Sequence, residues 1–287
     1  MSYIFFRRGS CQSQEEIKEA ITEHIDASKY TYDIQYTQFA KHGTGLAREA
    51  AAKGAYAVVA VGGDGSVNDI AQGLLGTGTM LGIIPKGSGN GMARTMRIPI
   101  NTQEAMKVLN KGNNIKTDIA FANGKAFVSN AGVAFDALIS KKFAKSTRRG
   151  LMVYSWLVTK YMWLYRARSF EITVDGKTFT EKAFMVVVAN GQQFGYNFKI
   201  APMADYTDGL LDLIVIRNFP KILGGIISYR VMMGTIMGSR YVTHIRGKEI
   251  TISHPDLKLM QTDGDAHECS NKIKFTLQKG AQSVIVP

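Results

Sequence analysis

Two glycine-rich segments hold the residues of this 287-residue chain whose types and spacing could do chemistry. In the first, Val58-Val59-Ala60-Val61-Gly62-Gly63-Asp64-Gly65-Ser66-Val67-Asn68, a glycine-rich turn joins an apolar run to a helical pattern. Glycine lets backbone N–H groups approach an anion with no Cβ in the way, and the helix N-terminus beyond adds positive dipole. That arrangement suits phosphate. Asp64 is out of place in it, because a carboxylate repels phosphate unless it holds Mg²⁺ or accepts a proton from an attacking hydroxyl. Capping its own helix is the plain alternative, and the spacing is neither Walker nor Rossmann. The second segment, Ile83-Ile84-Pro85-Lys86-Gly87-Ser88-Gly89-Asn90-Gly91-Met92-Ala93-Arg94, repeats the strand-loop-helix crossing. There Ser88 can donate to a phosphate, Asn90 can cap a helix or orient a neighbour, and Lys86 and Arg94 add positive charge. Two such loops at neighbouring strand ends predict one shared nucleotide crevice.

Two acidic segments follow in the second half. Gln261-Thr262-Asp263-Gly264-Asp265 sets two carboxylates around a glycine, a pattern that in isolation is a β-turn. Ala204-Asp205-Tyr206-Thr207-Asp208-Gly209-Leu210-Leu211-Asp212 groups three carboxylates ahead of an apolar strand; it could bind a hard cation through oxygen or form a solvated turn. His24, His42, His244, His254 and His267 show neither metal-ligand nor triad spacing and read as structural or exposed.

The elements that must position these residues are of two kinds. Up to about residue 118, short apolar runs at Tyr3–Phe6, Tyr32–Thr37, Tyr56–Val61 and Met80–Pro85 alternate with helical periodicity, which predicts βαβ units and a parallel sheet. Ser13-Gln14-Glu15-Glu16 has the form of a capping box, followed by Ile17, Ala20, Ile21 and Ile25 on one helical face. From about residue 119, β-rich stretches separated by turn dipeptides predict an antiparallel sandwich or barrel, so the division expected is 1–118 and 119–287. Two helical interruptions, near 150–167 and 220–238, mix aromatics or methionines with Lys and Arg, the composition of interfacial helices. Filling gaps over the sandwich is their other reading.

Composition narrows the classes. Thirty-five Lys and Arg against 23 Asp and Glu give a net charge of +12, which favours an anionic partner. No basic run or aromatic RNA-binding signature supports nucleic acid. Cys11 and Cys269 are too few for a disulfide framework, no apolar run is long enough to span a bilayer, and the opening residues lack signal-peptide order. The expectation is a cytoplasmic protein, peripheral to membranes.

With two glycine-rich loops in this order and a late Asp-Gly-acid turn, the chain resembles the diacylglycerol kinase catalytic-domain family, which includes sphingosine kinases and bacterial lipid kinases. Gly62-Gly63-Asp64-Gly65-Ser66-Val67-Asn68 is similar to its nucleotide signature, and Pro85-Lys86-Gly87-Ser88-Gly89-Asn90 to its second loop. The resemblance implies an N-terminal nucleotide-binding α/β domain and a C-terminal antiparallel β-sandwich with inserted helices. It implies ATP contacts at Thr37, Gly62, Gly63, Asp64, Gly65, Ser66, Asn68, Gly87 and Ser88, and a proton acceptor at Asp265, Asp263 or Asp64. Asp205, Asp208 and Leu210 match a stretch that holds a structural Mg²⁺, Asp136 in Gly132-Val133-Ala134-Phe135-Asp136 a lipid-pocket position, and Arg148-Arg149-Gly150 a basic approach to phosphates. Two departures stand out: Phe6-Arg7-Arg8-Gly9-Ser10 replaces the usual Asn-Pro-x-x-Gly, and Asp265 replaces a glutamate. Asn90-Gly91 in place of Asn-Asp is similar to sphingosine and ceramide kinases. The expected activity is transfer of the γ-phosphoryl group of Mg-ATP to a membrane-lipid hydroxyl in a crevice between the domains. The expected partners are that lipid (diacylglycerol-like or a sphingoid base), an anionic membrane surface and a possible second copy of the chain. A soluble-substrate kinase of NAD-kinase type and a non-catalytic homologue are the alternatives.

Overall fold

A computed structural model describes residues 2–7, 11–39, 41–147, 150–195 and 197–287. It divides into two compact units, residues 1–118 with 279–287, and residues 119–278. The first carries β1 (Ser2–Arg7), α1 (Cys11–His24), β2 (Thr31–Tyr36), α2 (His42–Ala52), β3 (Ala57–Gly62), α3 (Asp64–Leu74), β4 (Met80–Pro85), α4 (Gly91–Thr95) and α5 (Thr102–Lys111). β1 pairs in parallel with β2 and β3, and β3 with β4. β3 and β4 are apolar and buried nearly throughout, as parallel strands covered on both faces must be. Ile17 and Ile21 of α1 and Val67, Ile70 and Leu74 of α3 supply the covering stripes. Helix α1 begins at Cys11, so Ser13 lies inside its first turn and is not the cap. Helix α5 has a cap of its own: the Asn101 side chain accepts the Glu104 N–H at 3.1 Å, and Gly112 closes the helix at φ 69°.

β5 (Asn114–Ala122) leads into the second unit, followed by β6 (Lys125–Phe127), β7 (Asn130–Ala134), α6 (Phe135–Ala144), α7 (Leu151–Leu164), β8 (Arg168–Val174), β9 (Lys177–Ala189), β10 (Leu211–Arg217), α8 (Gly224–Met233), β11 (Val242–Gly247), β12 (Ile250–Ser253), β13 (Leu259–Thr262), β14 (Asp265–Glu268) and β15 (Lys272–Ile285). Pairing within this unit is antiparallel, through β14-β13-β7-β9-β8-β12-β15, with β10 joining β9 to β11. Side chains alternate across a strand. Val186, Val188, Leu213 and Val215 therefore fill the sandwich with Phe127, Phe170 and Phe275. Val187, Ala189, Ile214 and Ile216 point the other way and support a second core with Phe135, Ile139, Leu157, Ile227 and Val231 of α6, α7 and α8. That second core is why β9 is continuously apolar from Ala183 to Ala189 and β10 from Leu213 to Ile216. Among the described residues no helix is long and apolar enough to cross a membrane.

Candidate active site

In the first unit the two glycine loops leave adjacent strands, since Gly62 is paired with Pro85 and the Lys86 N–H donates to the Gly62 carbonyl at 2.9 Å. They pass backbone to backbone. A Cβ on Gly63 would lie 2.9 Å from Gly87 Cα, and one on Gly87 would strike Gly63 in turn. A Cβ on Gly62 would lie 2.5 Å from Ser66 Oγ, whereas Gly65 faces open space. Asn90, held at φ 53°, closes the second loop on itself: its Oδ1 accepts the Gly87 N–H at 2.9 Å and its Nδ2 donates to the Gly87 carbonyl at 2.7 Å. Asn90 therefore shapes the second glycine loop. Ser88 is exposed at the tip, Asn68 accepts from Gln72 within α3, and Thr37 follows the end of β2, beside Gly43.

The N-cap of α3 is Gly63, so Asp64 does not cap its own helix. Its Oδ1 accepts the Met92 N–H of the next helix, α4, at 3.4 Å. Burial pushes the Asp64 carboxyl up from its ordinary range, opposed by the N–H groups of Met92, Gly91 and Asn90. Asp64 thus ties the first loop to the second.

In the second unit the acidic turn separates its two carboxylates. Asp263, at φ 48°, aims its side chain back at β7, where Oδ2 accepts the Val128 N–H at 2.7 Å and Oδ1 those of Ser129 and Asn130 at 2.7 and 3.1 Å. Asp265 opens β14 with its side chain exposed. Gln261, which the sequence patterns did not single out, links the turn to a buried carboxyl: its Nε2 donates to Asp136 Oδ2 at 2.7 Å and to Asn130 Oδ1 at 2.9 Å, while its Oε1 accepts the Gly264 N–H at 2.7 Å. Only the contact made at Asp136 from 125 residues away exposes this role.

Asp136 borders a cavity of about 110 Å³ inside this unit, walled by residues of α6, α7, α8 and the sheet, Phe135, Val158, Met162, Phe184 and Ile227 among them. Asp136 is the only carboxyl among the described lining residues. Burial raises its pKa to about 7, with Gln261 opposing, and burial pushes the nearby Tyr154 phenol up as well. A folded-state value above the unfolded 3.8 means that the native state holds the extra proton between about pH 4 and 7. Native stability then falls as pH rises through that window and is flat above it. Asp136→Asn is expected to remove that slope in urea titrations and to be more stable than the wild type at alkaline pH, by on the order of 2–4 kcal/mol. A parallel pH dependence in both proteins would refute the assignment.

Two domain models match this chain, the diacylglycerol kinase catalytic domain over residues 3–122 and the YegS C-terminal NAD kinase beta sandwich-like domain over residues 129–284. The chain belongs to the YegS-like lipid kinase family. A "Probable lipid kinase YegS-like" protein of Chromohalobacter salexigens is 29% identical over 220 residues, 75% of this chain and 70% of that one. The diacylglycerol kinase of Bacillus subtilis is 24% identical over 256 residues, 85% and 82% of the two chains. A solved diacylglycerol kinase from Bacillus anthracis superposes with a TM-score of 0.76 at 22% identity, covering 100% of this chain and 96% of that one. An NAD kinase from Archaeoglobus fulgidus in complex with ATP reaches 0.57 at 13% identity, covering 99% and 93%. At such identities these likenesses are of fold alone.

The loop at which the resemblance to the diacylglycerol kinase catalytic-domain family implied Mg²⁺ is already engaged in this chain. Asp208 Oδ1 accepts the Leu210 N–H at 2.9 Å, and its Oδ2 takes the Arg246 guanidinium. Asp205 Oδ1 accepts from the Thr207 N–H and hydroxyl at 2.9 and 2.7 Å. Arg246 also approaches the fully buried Asp212, at 3.5 Å, and His244 reaches Asp212 at 2.5 Å. Among the described residues no group of three His, Cys, Asp or Glu gathers to hold a metal. A divalent cation at Asp205, Asp208 and Leu210 would have to displace a guanidinium, so the residues do not fit it. Magnesium added to the nucleotide-free protein is expected to leave the melting temperature unchanged. Arg246→Gln lowers stability by about 1–3 kcal/mol, because two acceptors lose a charged donor. A rise in melting temperature with Mg²⁺ beyond a matched ionic-strength control would overturn this. Arg148 and Arg149, implied to approach phosphates, and Arg8, Gly9 and Ser10 of the departing first segment lie outside the described residues.

Proposed function

We propose that this protein is an ATP-dependent lipid kinase that moves the γ-phosphoryl group of ATP to the hydroxyl of a lipid with an apolar tail. The observation that carries the reading is the cavity beside Asp136, whose wall is almost wholly aliphatic and aromatic. It suits an alkyl chain. A nicotinamide dinucleotide, polar along its length, finds few partners on such a wall, which speaks against the NAD-kinase alternative. In the transfer, the lipid oxygen bonds to the γ-phosphorus, the bond from that phosphorus to the bridging oxygen of ADP breaks, and the hydroxyl proton passes to a carboxylate. Such transfer depends on positioning and charge stabilisation. The N–H groups of Gly62, Gly63 and Gly65 cradle the phosphates beside the Ser66 hydroxyl, Ser88 donates from the second loop, and Thr37 contacts the nucleotide at the end of β2. Bound with the nucleotide, Mg²⁺ would supply charge to offset the phosphates. Asp265, exposed and with no side-chain hydrogen bond in the described structure, is the proton acceptor; Asp263 and Asp64 hold the turn and the loops in place.

The test is incubation with Mg²⁺ and γ-labelled ATP over mixed micelles of diacylglycerol, monoacylglycerol, ceramide and sphingoid bases, followed by separation of the lipids. Label in any one lipid supports the reading and names the acceptor. Label in NAD, or in no acceptor although ATP binds, would defeat it.

A further inference from the structure

Helices α7 and α8 each bury one face and leave a second apolar face in solvent. In α7, Tyr154, Val158 and Met162 line the cavity, while Met152, Trp156 and Trp163 recur at i, i+4 and i+11 on the other side, 88%, 59% and 61% exposed. In α8 and the turn before it, Gly224, Ile227 and Val231 face the cavity, and Ile222, Ile226, Tyr229 and Met233 form the same outward stripe. The two helices touch, since a Cβ on Gly224 would strike Met162. Their stripes therefore lie on neighbouring elements of one unit. A free-standing surface has no use for two exposed Trp, a Tyr and four long aliphatic side chains in register.

The charge around them says what covers them. Residues 137–170 contain eight Lys or Arg and no Asp or Glu, and residues 213–248 contain six and none, although Arg217 and Arg246 of these pair with Glu181 and Asp208. Lys160 lies beside the stripe over the Trp156 ring, 4.8 Å from its centroid, and Arg230 follows Tyr229. Lys221 turns inward, with its ammonium 4.0 Å from the Phe184 ring centroid and no hydrogen-bond partner among the described residues. A second copy of this chain would bring one cation-rich face against another, and repulsion disfavours that. An anionic bilayer offers both what the aromatics want and what the cations want.

We infer that α7 and α8 form a bilayer-docking face that lies on anionic membranes without spanning them and delivers the acyl or alkyl chain to the cavity between them. Ser228 lines the cavity and is itself exposed, between Ile226 and Tyr229, so the cavity meets the surface inside the docking face. A chain drawn from the bilayer reaches Asp136 without crossing water. This rests on the lipid-kinase reading for its substrate but not for its surface.

Sedimentation with vesicles of phosphatidylcholine, with and without phosphatidylglycerol, tests it. The wild type is expected to sediment with the anionic vesicles. Trp156→Ser with Trp163→Ser, and separately Ile226→Ser with Tyr229→Ser, each weaken that binding about tenfold or more, while Lys160→Gln with Arg230→Gln removes the preference for phosphatidylglycerol at low salt. None of these residues lines the cavity, so turnover of a short-chain, water-dispersed lipid stays within about twofold of the wild type. Wild-type protein that ignores anionic vesicles, or stripe variants that bind them undiminished, would overturn the inference. So would a wild-type dimer in size-exclusion chromatography that the Trp double variant breaks, which would make the face a contact between copies. Vesicle binding lost in the variants without phosphorylation of any lipid by the wild type would leave the docking face standing and sink the kinase reading instead.

Discussion

Asp265→Asn is expected to cut lipid phosphorylation about 10²- to 10⁴-fold at saturating ATP, the range for losing a general base, while the melting temperature and ATP affinity stay at wild-type values. Asp263→Asn is expected to differ in kind. Its carboxylate accepts three backbone N–H groups, from Val128, Ser129 and Asn130, and an amide in its place presents one acceptor oxygen and an N–H₂ group that opposes these donors. Leaving buried donors unsatisfied costs about 1–3 kcal/mol each. The second variant therefore loses stability first and activity as a consequence. Thermal melts beside initial rates separate the two. Turnover that survives Asp265→Asn, with Asp263→Asn fully folded and inactive, would reverse the roles.

Gly87→Ala has the other large effect. The added methyl group meets the backbone of Gly63, and neither loop can rotate a side chain out of the way. The loops must part, at about 1–3 kcal/mol for overpacking, and the cradle opens with them, so ATP affinity falls about tenfold or more. Gly65→Ala is the control, because its Cβ meets open space in the protein. It leaves unfolding unchanged and lowers ATP affinity only through contact with the phosphates themselves. Calorimetric ATP titration and urea denaturation of both variants check this, and wild-type affinity in Gly87→Ala would refute the role given to the close approach.

Sequence patterns reached the strands of the first unit because buried parallel strands are apolar throughout, and β3 and β4 needed only their own residues to be recognised. What escaped depends on partners far along the chain. Asp263 and Asp265 are alike in sequence, and only a turn at φ 48° that aims one of them at residues 133 to 135 positions away distinguishes them. Asp64 reads equally as a metal holder, a proton acceptor or the cap of α3; the cap is Gly63, and the Asp64 carboxylate accepts from α4, 28 residues on. Helix α6 is not among the helices that the pattern of the second half predicts, because β7 turns into it through Ala134 at φ 70°, a conformation that L-residues rarely adopt. Lys221 shows the same limit: flanking an apolar helix it reads as a surface cation, yet the Phe184 and Phe219 rings draw it inward. Asn101-x-x-Glu104 was a helix-start signal available in the sequence and passed over.

The last strand has a consequence for synthesis. β15 begins in the second unit and ends in the first, where Val284 pairs with Leu81 on β4, Gln282 donates to the Thr79 carbonyl at 3.0 Å, and Thr117 donates to the Gln282 carbonyl at 3.0 Å. Domains are ordinarily finished in the order in which the ribosome makes them. Here the strand bearing the second glycine loop keeps an unpaired edge until the final residues of β15 emerge, so the first unit to be translated is the last to be completed. A chain cut short before β15 leaves an open sheet edge beside a glycine loop, the kind of surface that quality control recognises, and the first unit is assembled only in molecules whose other half has already been made.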